Sequence, residues 1–265
     1  MPYICFTPVH NRMNRLKKFL GGLYATYILL LFSATVIILF IPLYATWLFK
    51  EPYRNRIFVT IGRGWMAVFM PLIGCPMRRK GLENFKAGQT YVLTCNHNSF
   101  MDILVATSSI PGSNKTLAKK SMGNIPVFGP IYRLGAILVN RKDEDSRKQS
   151  YIRMKEALHQ GIHILLYPEG TRNRTDKPIK PFYDGAFSLA IDTQLPLLPS
   201  VLFHTRNILP AGGFYAWPHA VEYHFLPPID TKGMTRDDIP ALKERVFNIM
   251  LAHYVAHEKT PPTSR

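Results

Sequence analysis

From Phe19 to Phe49 the chain reads FLGGLYATYILLLFSATVIILFIPLYATWLF without one charged residue. A bilayer core takes roughly 20 residues of helix, so this run can cross it once with residues to spare. It is too long, and too far from any small-residue cleavage signal, to be a removable signal peptide. A buried core helix of that length would show a strongly polar face, and this run shows none. The expectation is a membrane-embedded helical anchor.

Basic residues flank the run on both sides: Arg12, Arg15, Lys17 and Lys18 before it, Lys50, Arg54 and Arg56 after it. A single span puts one cluster on the far side, against the positive-inside tendency. Two full crossings need about forty residues, which the run does not supply. The expectation is a shallow hairpin of two short helices bending near Ser33-Ala34, with both ends on the cytoplasmic face. Pro42 should kink or restart the second half. The stretch Ile57 to Cys75 is apolar again but interrupted by Arg63, Gly62, Gly64 and Pro71, which suits an interfacial segment or a stem packed on the next domain.

The chain of 265 residues has 33 Lys+Arg against 17 Asp+Glu, a formal net charge of +16. Such an excess calls for a polyanionic neighbour: nucleic acid, anionic lipid headgroups or a phosphorylated substrate. The apolar run favours lipid, and no RNP, KH, helix-turn-helix or zinc-finger pattern supports nucleic acid. Cys5, Cys75 and Cys95 have no CxxC or metal-ligand spacing, so neither a disulfide framework nor a bound metal is expected, and a reducing compartment is.

Past residue 80 short β-rich runs alternate with helical patterns. YVLTCN (91–96), GAILVN (135–140), IHILLY (162–167), PLLPSVLF (196–203) and AVEYHF (220–225) read as strands. Tyr151, Met154 and Leu158 recur at helical spacing within 144–160, with Gly161 at the stop position; a last helix covers 238–256, its face set by Leu242, Val246, Ile249 and Met250 and its cap by Asp237 or Asp238. This alternation predicts an α/β domain with a mostly parallel central sheet covered by helices. The division is a basic segment at 1–18, the anchor at 19–49, an interfacial connector at 50–80, the α/β domain at 81–256 and a flexible tail at 257–265.

Two motifs carry chemistry. Asn96-His97-Asn98-Ser99-Phe100-Met101-Asp102 begins where a strand ends, the usual edge for sites in open α/β sheets. Asp102 lies five positions on, over one turn of a helix starting in this loop, from where its carboxylate can curl back to the imidazole Nδ1–H. That contact fixes the tautomer and leaves Nε2 to take a proton from an alcohol. Tyr167-Pro168-Glu169-Gly170-Thr171-Arg172 also follows a hydrophobic strand. Glycine admits close backbone approach, and the Arg172 guanidinium suits bidentate phosphate contact. Arg174, Lys177, Lys180, Arg141 and Lys119-Lys120 add further positive charge nearby. Each motif alone also fits a plain polar loop; their shared sheet edge favours a site.

NHNSFMD, GAILVNR, YPEGTR and LPLLPS, in this order and with KKSMGNIPVFGP between the first two, resemble the motifs of the glycerolipid acyltransferases over roughly residues 81 to 205. The resemblance is nearest to the 1-acyl-sn-glycerol-3-phosphate acyltransferase (PlsC-type) branch. It implies that His97 is the general base and Asp102 its orienting partner. It places Glu169, Gly170, Thr171 and Arg172 in the acceptor site, with Arg141 and Lys119 as further basic contacts. Pro196 and Pro199 would shape the start of a strand near the acyl donor, with backbone amides available to an oxyanion. Tyr167 stands where Phe is common, Asn173 for Ser, Asn140 for Asp, and Asp184-Gly185 for a basic-Gly pair.

The implied reaction needs no bound cofactor. Acyl-CoA or acyl carrier protein donates the acyl group, a lysophospholipid held at the bilayer accepts it, and the enzyme lies on the inner face of a cytoplasmic membrane if bacterial. Another lysolipid or aminolipid acceptor is the alternative. A lipid hydrolase using Ser99 is a more distant one, since Ser99 lacks a G-x-S-x-G elbow.

Overall fold

The computed structural model describes residues 15–126, 128–210 and 213–258. The expected basic residues before Arg15 and the tail after Glu258 lie outside them. The chain opens with α1 (Arg15–Ala45) and α2 (Tyr53–Leu72). There follow β1 (Met77–Lys80), β2 (Val92–Cys95), α3 (Met101–Ser109), β3 (Asn114–Lys119), α4 (Phe128–Gly135), β4 (Ala136–Val139), α5 (Glu144–His159) and β5 (His163–Leu166). The chain closes with α6 (Gly185–Thr193), β6 (Leu197–Phe203), α7 (Thr205–Ile208), β7 (Val221–Phe225) and α8 (Ile239–Glu258).

The expected hairpin near Ser33-Ala34 is not there. α1 runs unbroken through both residues and past Pro42. Nothing at Ser33-Ala34 removes a helical hydrogen bond, and Thr35 Oγ1 donates back to Leu31 O at 2.8 Å within the same turns. Pro42 sits so near the end that the helix closes one turn later. Reversal comes instead at residues 46–52, and α2 returns alongside α1: Tyr27 Oη donates to Leu72 O at 2.9 Å, and Phe32 meets Trp65 and Phe69 with ring centres 5.5 and 5.9 Å apart. The helical run Arg15–Leu48 is long and apolar enough to cross a membrane. Leu30, Ile37, Ile38 and Ile41 on its outer face are largely exposed.

α2 is bound to the domain behind it. Arg63 donates to the carbonyls of Ile110 and Gly112, and Asn55 Nδ2 donates to Asn114 O at 3.1 Å. The stretch 57–75 thus packs on the domain as a helical stem.

The sheet has the strand order β1-β7-β6-β2-β5-β3-β4, and every pairing is parallel except β6 with β7. β1 and β7 thus run against the other five. β1 draws Met77–Lys80 into the sheet, ahead of the expected boundary at 81. The central strands read as continuous apolar runs because both faces are covered. Val92, Ile164, Leu197 and Val201 enter one core with Leu158, Phe187 and Val246. Their neighbours Leu93, Leu165, Leu198 and Leu202 enter the other with Met66, Phe69 and Val105.

The helix ends follow local chemistry. α5 is capped by Asp143, whose carboxylate accepts from Asp145 N, and stops where Gly161 adopts φ +78°. The chain turns into α8 through a capping box of Thr235 and Asp238, so Thr235 is the cap residue and Asp238 its partner. β3 and β1 have no counterpart among the expected strands.

Candidate active site

Parallel pairing brings the ends of β2, β5, β3 and β4 to one edge, and the loops that follow β2 and β5 lie side by side. Asn96 anchors the first loop: its Nδ2 donates to Leu202 O at 2.9 Å and its Oδ1 accepts Leu202 N–H at 2.7 Å, so the side chain extends the β2–β6 ladder. His97 comes next and turns into the edge cleft.

His97 Nδ1 lies 2.8 Å from Asp102 Oδ2. The same oxygen accepts the backbone N–H groups of Asn98 and Ser99, and Oδ1 accepts the hydroxyl of Thr205. Asp102 is fully buried, and four donors converge on it. A buried carboxylate needs such partners; they also leave it one orientation, and it in turn leaves His97 one. The Tyr167 ring stacks on the imidazole with centroids 4.3 Å apart. With Nδ1 committed to Asp102, Nε2 is the free basic position, and the His97 side chain is 14% exposed.

Glu169 joins the two loops. Its Oε1 accepts His97 N–H at 2.8 Å and its Oε2 accepts Lys180 N–H at 3.1 Å. Burial raises its carboxyl to about 7, while those two amides and the Lys180 charge pull the other way. Its side chain is thus engaged with the protein's own backbone. Gly170 has φ +73°, and a Cβ there would meet the Tyr183 ring at 2.8 Å, so conformation and space both require glycine.

Arg172 lies over the Phe100 ring, 3.5 Å from its centroid. Burial, then the neighbouring Arg174, lowers its pKa. Around His97 the polar cleft is lined by Thr171, Arg172, Arg174, Thr175 and Lys180. Lys180 Nζ donates to Thr171 Oγ1 at 2.8 Å, and Arg206 donates to the carbonyls of Asn173 and Thr175, holding the loop in place.

An apolar cavity of about 600 Å³ lies between α1, α2, α3 and α4. Leu29, Phe32, Trp65, Leu104 and Phe128 are among its walls, and at one end it meets Asn98, Ser99, Arg172 and Arg174. The two arginines therefore border both spaces.

Not every expected residue is brought together. Arg141 reaches the site through its guanidinium, which donates to Gly170 O. Lys119 ends β3 at the same edge, exposed, with β5 between its strand and β2. Pro199 sits inside β6 level with Thr94, three residues short of His97, and Leu197 N–H is committed to Ile229 O at 2.9 Å. That stretch is buried sheet interior. Ser99 is buried at the end of the cavity, its Oγ accepting Met101 N–H at 3.3 Å and donating to Leu209 O at 3.5 Å. Thr205, by contrast, has no motif around it: only the fold puts its hydroxyl on Asp102.

Residues 77–202 match the acyltransferase family model. Relatives include the human 1-acyl-sn-glycerol-3-phosphate acyltransferase alpha, 30% identical over 182 residues, covering 68% of this chain and 64% of that protein. The 1-acyl-sn-glycerol-3-phosphate acyltransferase of Limnanthes douglasii is 29% identical over 193 residues, covering 71% of this chain and 66% of its own. The chain thus spans just under two thirds of these relatives' length. Its fold is that of the crystal structure of the 1-acyl-sn-glycerophosphate (LPA) acyltransferase PlsC from Thermotoga maritima, with a TM-score of 0.74 at 19% identity over 95% of this chain and 100% of that one. Fold, motif order and matched residues agree, and residues 77–202 form an acyltransferase-family domain.

Proposed function

We propose that this protein transfers a fatty acyl group from a thioester donor, acyl-CoA or acyl carrier protein, to the sn-2 hydroxyl of 1-acyl-sn-glycerol 3-phosphate, forming phosphatidic acid. The observation that carries the reading is the junction at Arg172 and Arg174, where an apolar cavity meets a cationic cleft containing His97. A ligand with a hydrocarbon chain at one end and a phosphate at the other fits that junction. A cavity of about 600 Å³ is within the usual range for ligand sites.

His97 Nε2 takes the proton of the acceptor hydroxyl as its oxygen bonds to the thioester carbonyl carbon. The tetrahedral oxyanion then collapses, the C–S bond breaks, and the imidazolium returns the proton to the departing thiolate. Asp102 holds the imidazole in register and stabilises its positive charge, a contribution of about 10²–10⁴ in rate for general base catalysis of this kind. Arg172, with Arg174 and Lys180, binds the phosphate; Arg141 and Glu169 act on the loop that carries them. Lys119 takes a place farther along the same edge, where it adds to the field felt by an anionic substrate.

Acceptor and product both reside in a bilayer. The exposed apolar face of α1 and the +16 charge support a membrane position, with the catalytic domain on the cytoplasmic face. Purified protein given labelled acyl-CoA and a panel of lysolipids tests the reading. Diacyl product should form on 1-acylglycerol 3-phosphate and not on glycerol 3-phosphate; acylation only of lysolipids without a terminal phosphate overturns it.

A further inference from the structure

At the C-terminal end of α8, two chelating spacings face each other. On β7, Glu222 and His224 are two residues apart and so share one face of the strand. On α8, His253 and His257 are four apart and so share one face of the helix. Phe203 lies against the imidazoles of both elements, with ring centroids 4.9 Å from His224 and 4.3 Å from His257.

We propose that Glu222, His224 and His257 form a binding site for a divalent transition metal of the zinc class, with His253 orienting His224. One donor atom from each of the three lies within 4.8 Å of the other two. Glu222 Oε2 is 3.0 Å from His224 Nε2 and 3.5 Å from His257 Nε2. Zinc–nitrogen and zinc–oxygen bonds of about 2.0–2.2 Å at tetrahedral angles separate neighbouring donors by about 3.4 Å, so these gaps need little change. Two imidazoles and one carboxylate match zinc rather than magnesium or calcium, which prefer all-oxygen sets.

The second sphere fits as well. His224 Nδ1 is 2.8 Å from His253 Nε2. When Nδ1–H donates to His253, His224 Nε2 is left as a bare lone pair facing a carboxylate oxygen, an arrangement that a cation between them relieves. When His224 carries its proton on Nε2 instead, it donates to Glu222, and metal binding must expel that proton. The His224 side chain is 5% exposed and so well fixed, whereas that of His257 is 21% exposed and leaves a solvent path to a fourth position. One competitor is present: Lys80 Nζ lies 3.0 Å from the same Glu222 oxygen, on a side chain that is 58% exposed and can swing away.

The test uses the full chain in detergent, purified without a histidine tag and stripped with a chelator. Zinc is titrated against a coloured indicator, and cobalt is added as an absorbance probe of tetrahedral coordination. The wild type should bind one zinc per chain. Glu222→Gln and His257→Asn should each weaken binding by more than the roughly 10- to 100-fold that loss of an outer-shell partner costs. Lys80→Met should tighten it, and excess magnesium should not compete. Thermal unfolding of the metal-free variants reports whether each keeps its fold, and His257→Asn, at the more exposed position, serves if Glu222→Gln does not. Binding that both Glu222→Gln and His257→Asn leave unchanged, or no binding by the wild type, makes the cluster a hydrogen-bonded histidine relay only and overturns the proposal.

Discussion

Glu169 Oε1 accepts the backbone N–H of His97 at 2.8 Å. The contact ties the loop after β5 to the loop after β2 at the point where the imidazole emerges, and the other carboxyl oxygen takes Lys180 N–H at 3.1 Å. One buried side chain therefore sets the spacing between the proposed base and the cationic loop.

Glu169→Ala leaves two buried N–H groups without acceptors, at about 1–3 kcal/mol each. The variant should unfold at lower temperature and lose kcat more than acceptor affinity. Glu169→Gln keeps one acceptor and should lie between it and the wild type. Thermal unfolding and steady-state kinetics on the three proteins check this; an unchanged kcat in Glu169→Ala contradicts it.

Arg172→Ala removes a guanidinium from the border between cleft and cavity. Loss of a charge-assisted hydrogen bond of about 1.5–3 kcal/mol should raise the KM for 1-acylglycerol 3-phosphate about 10- to 100-fold. The KM for the acyl donor should change little. Equal rises in both would contradict a role at the phosphate.

Gly62 lines the apolar cavity from α2, and a Cβ there meets nothing within 4 Å. Gly62→Leu should put a side chain into that space and shorten the longest acyl chain handled. It should also stabilise α2 by up to about 1 kcal/mol, since glycine is a poor helix former. Product chain-length profiles and unfolding curves report the two effects. A profile identical to the wild type would show that the cavity does not hold acyl chain.

His163 is buried at the start of β5, where its Nδ1 accepts Tyr91 N–H at 3.0 Å. Burial, then the Arg63 charge, lowers its pKa from 6.5 to about 4. The unfolded chain therefore binds this proton at higher pH than the folded one. The contribution is fully present above about 6.5 and is lost as pH falls toward 4, at up to about 1.4 kcal/mol per pH unit. His163→Asn, which keeps an acceptor at that position, should flatten the slope of stability against pH across this window. A slope equal to that of the wild type contradicts the assignment.

Most of the sheet was legible because its central strands are buried on both faces and therefore read as uninterrupted apolar runs. β3 escaped notice because its buried positions are Asn114, Thr116 and Ala118, a polar alternation that apolar counting misses. β1 escaped because MRRK is a short edge strand whose side chains face solvent. The reversal between α1 and α2 was misplaced because charge balance called for a return but could not locate it. In the site, His97, Asp102 and the 167–172 loop stand in local motifs and were visible. Thr205 lies 103 residues from Asp102, so only tertiary structure joins them. Lys119 enters through charge and through the resemblance, and neither fixes a distance.

The most direct measurement of the central claim is the turnover of His97→Ala with 1-acylglycerol 3-phosphate and acyl-CoA, alongside proof of an unchanged fold. Loss of the general base should lower kcat by about 10²–10⁴ while leaving acceptor binding nearly intact. A folded His97→Ala protein that turns over at a near-native rate contradicts the account.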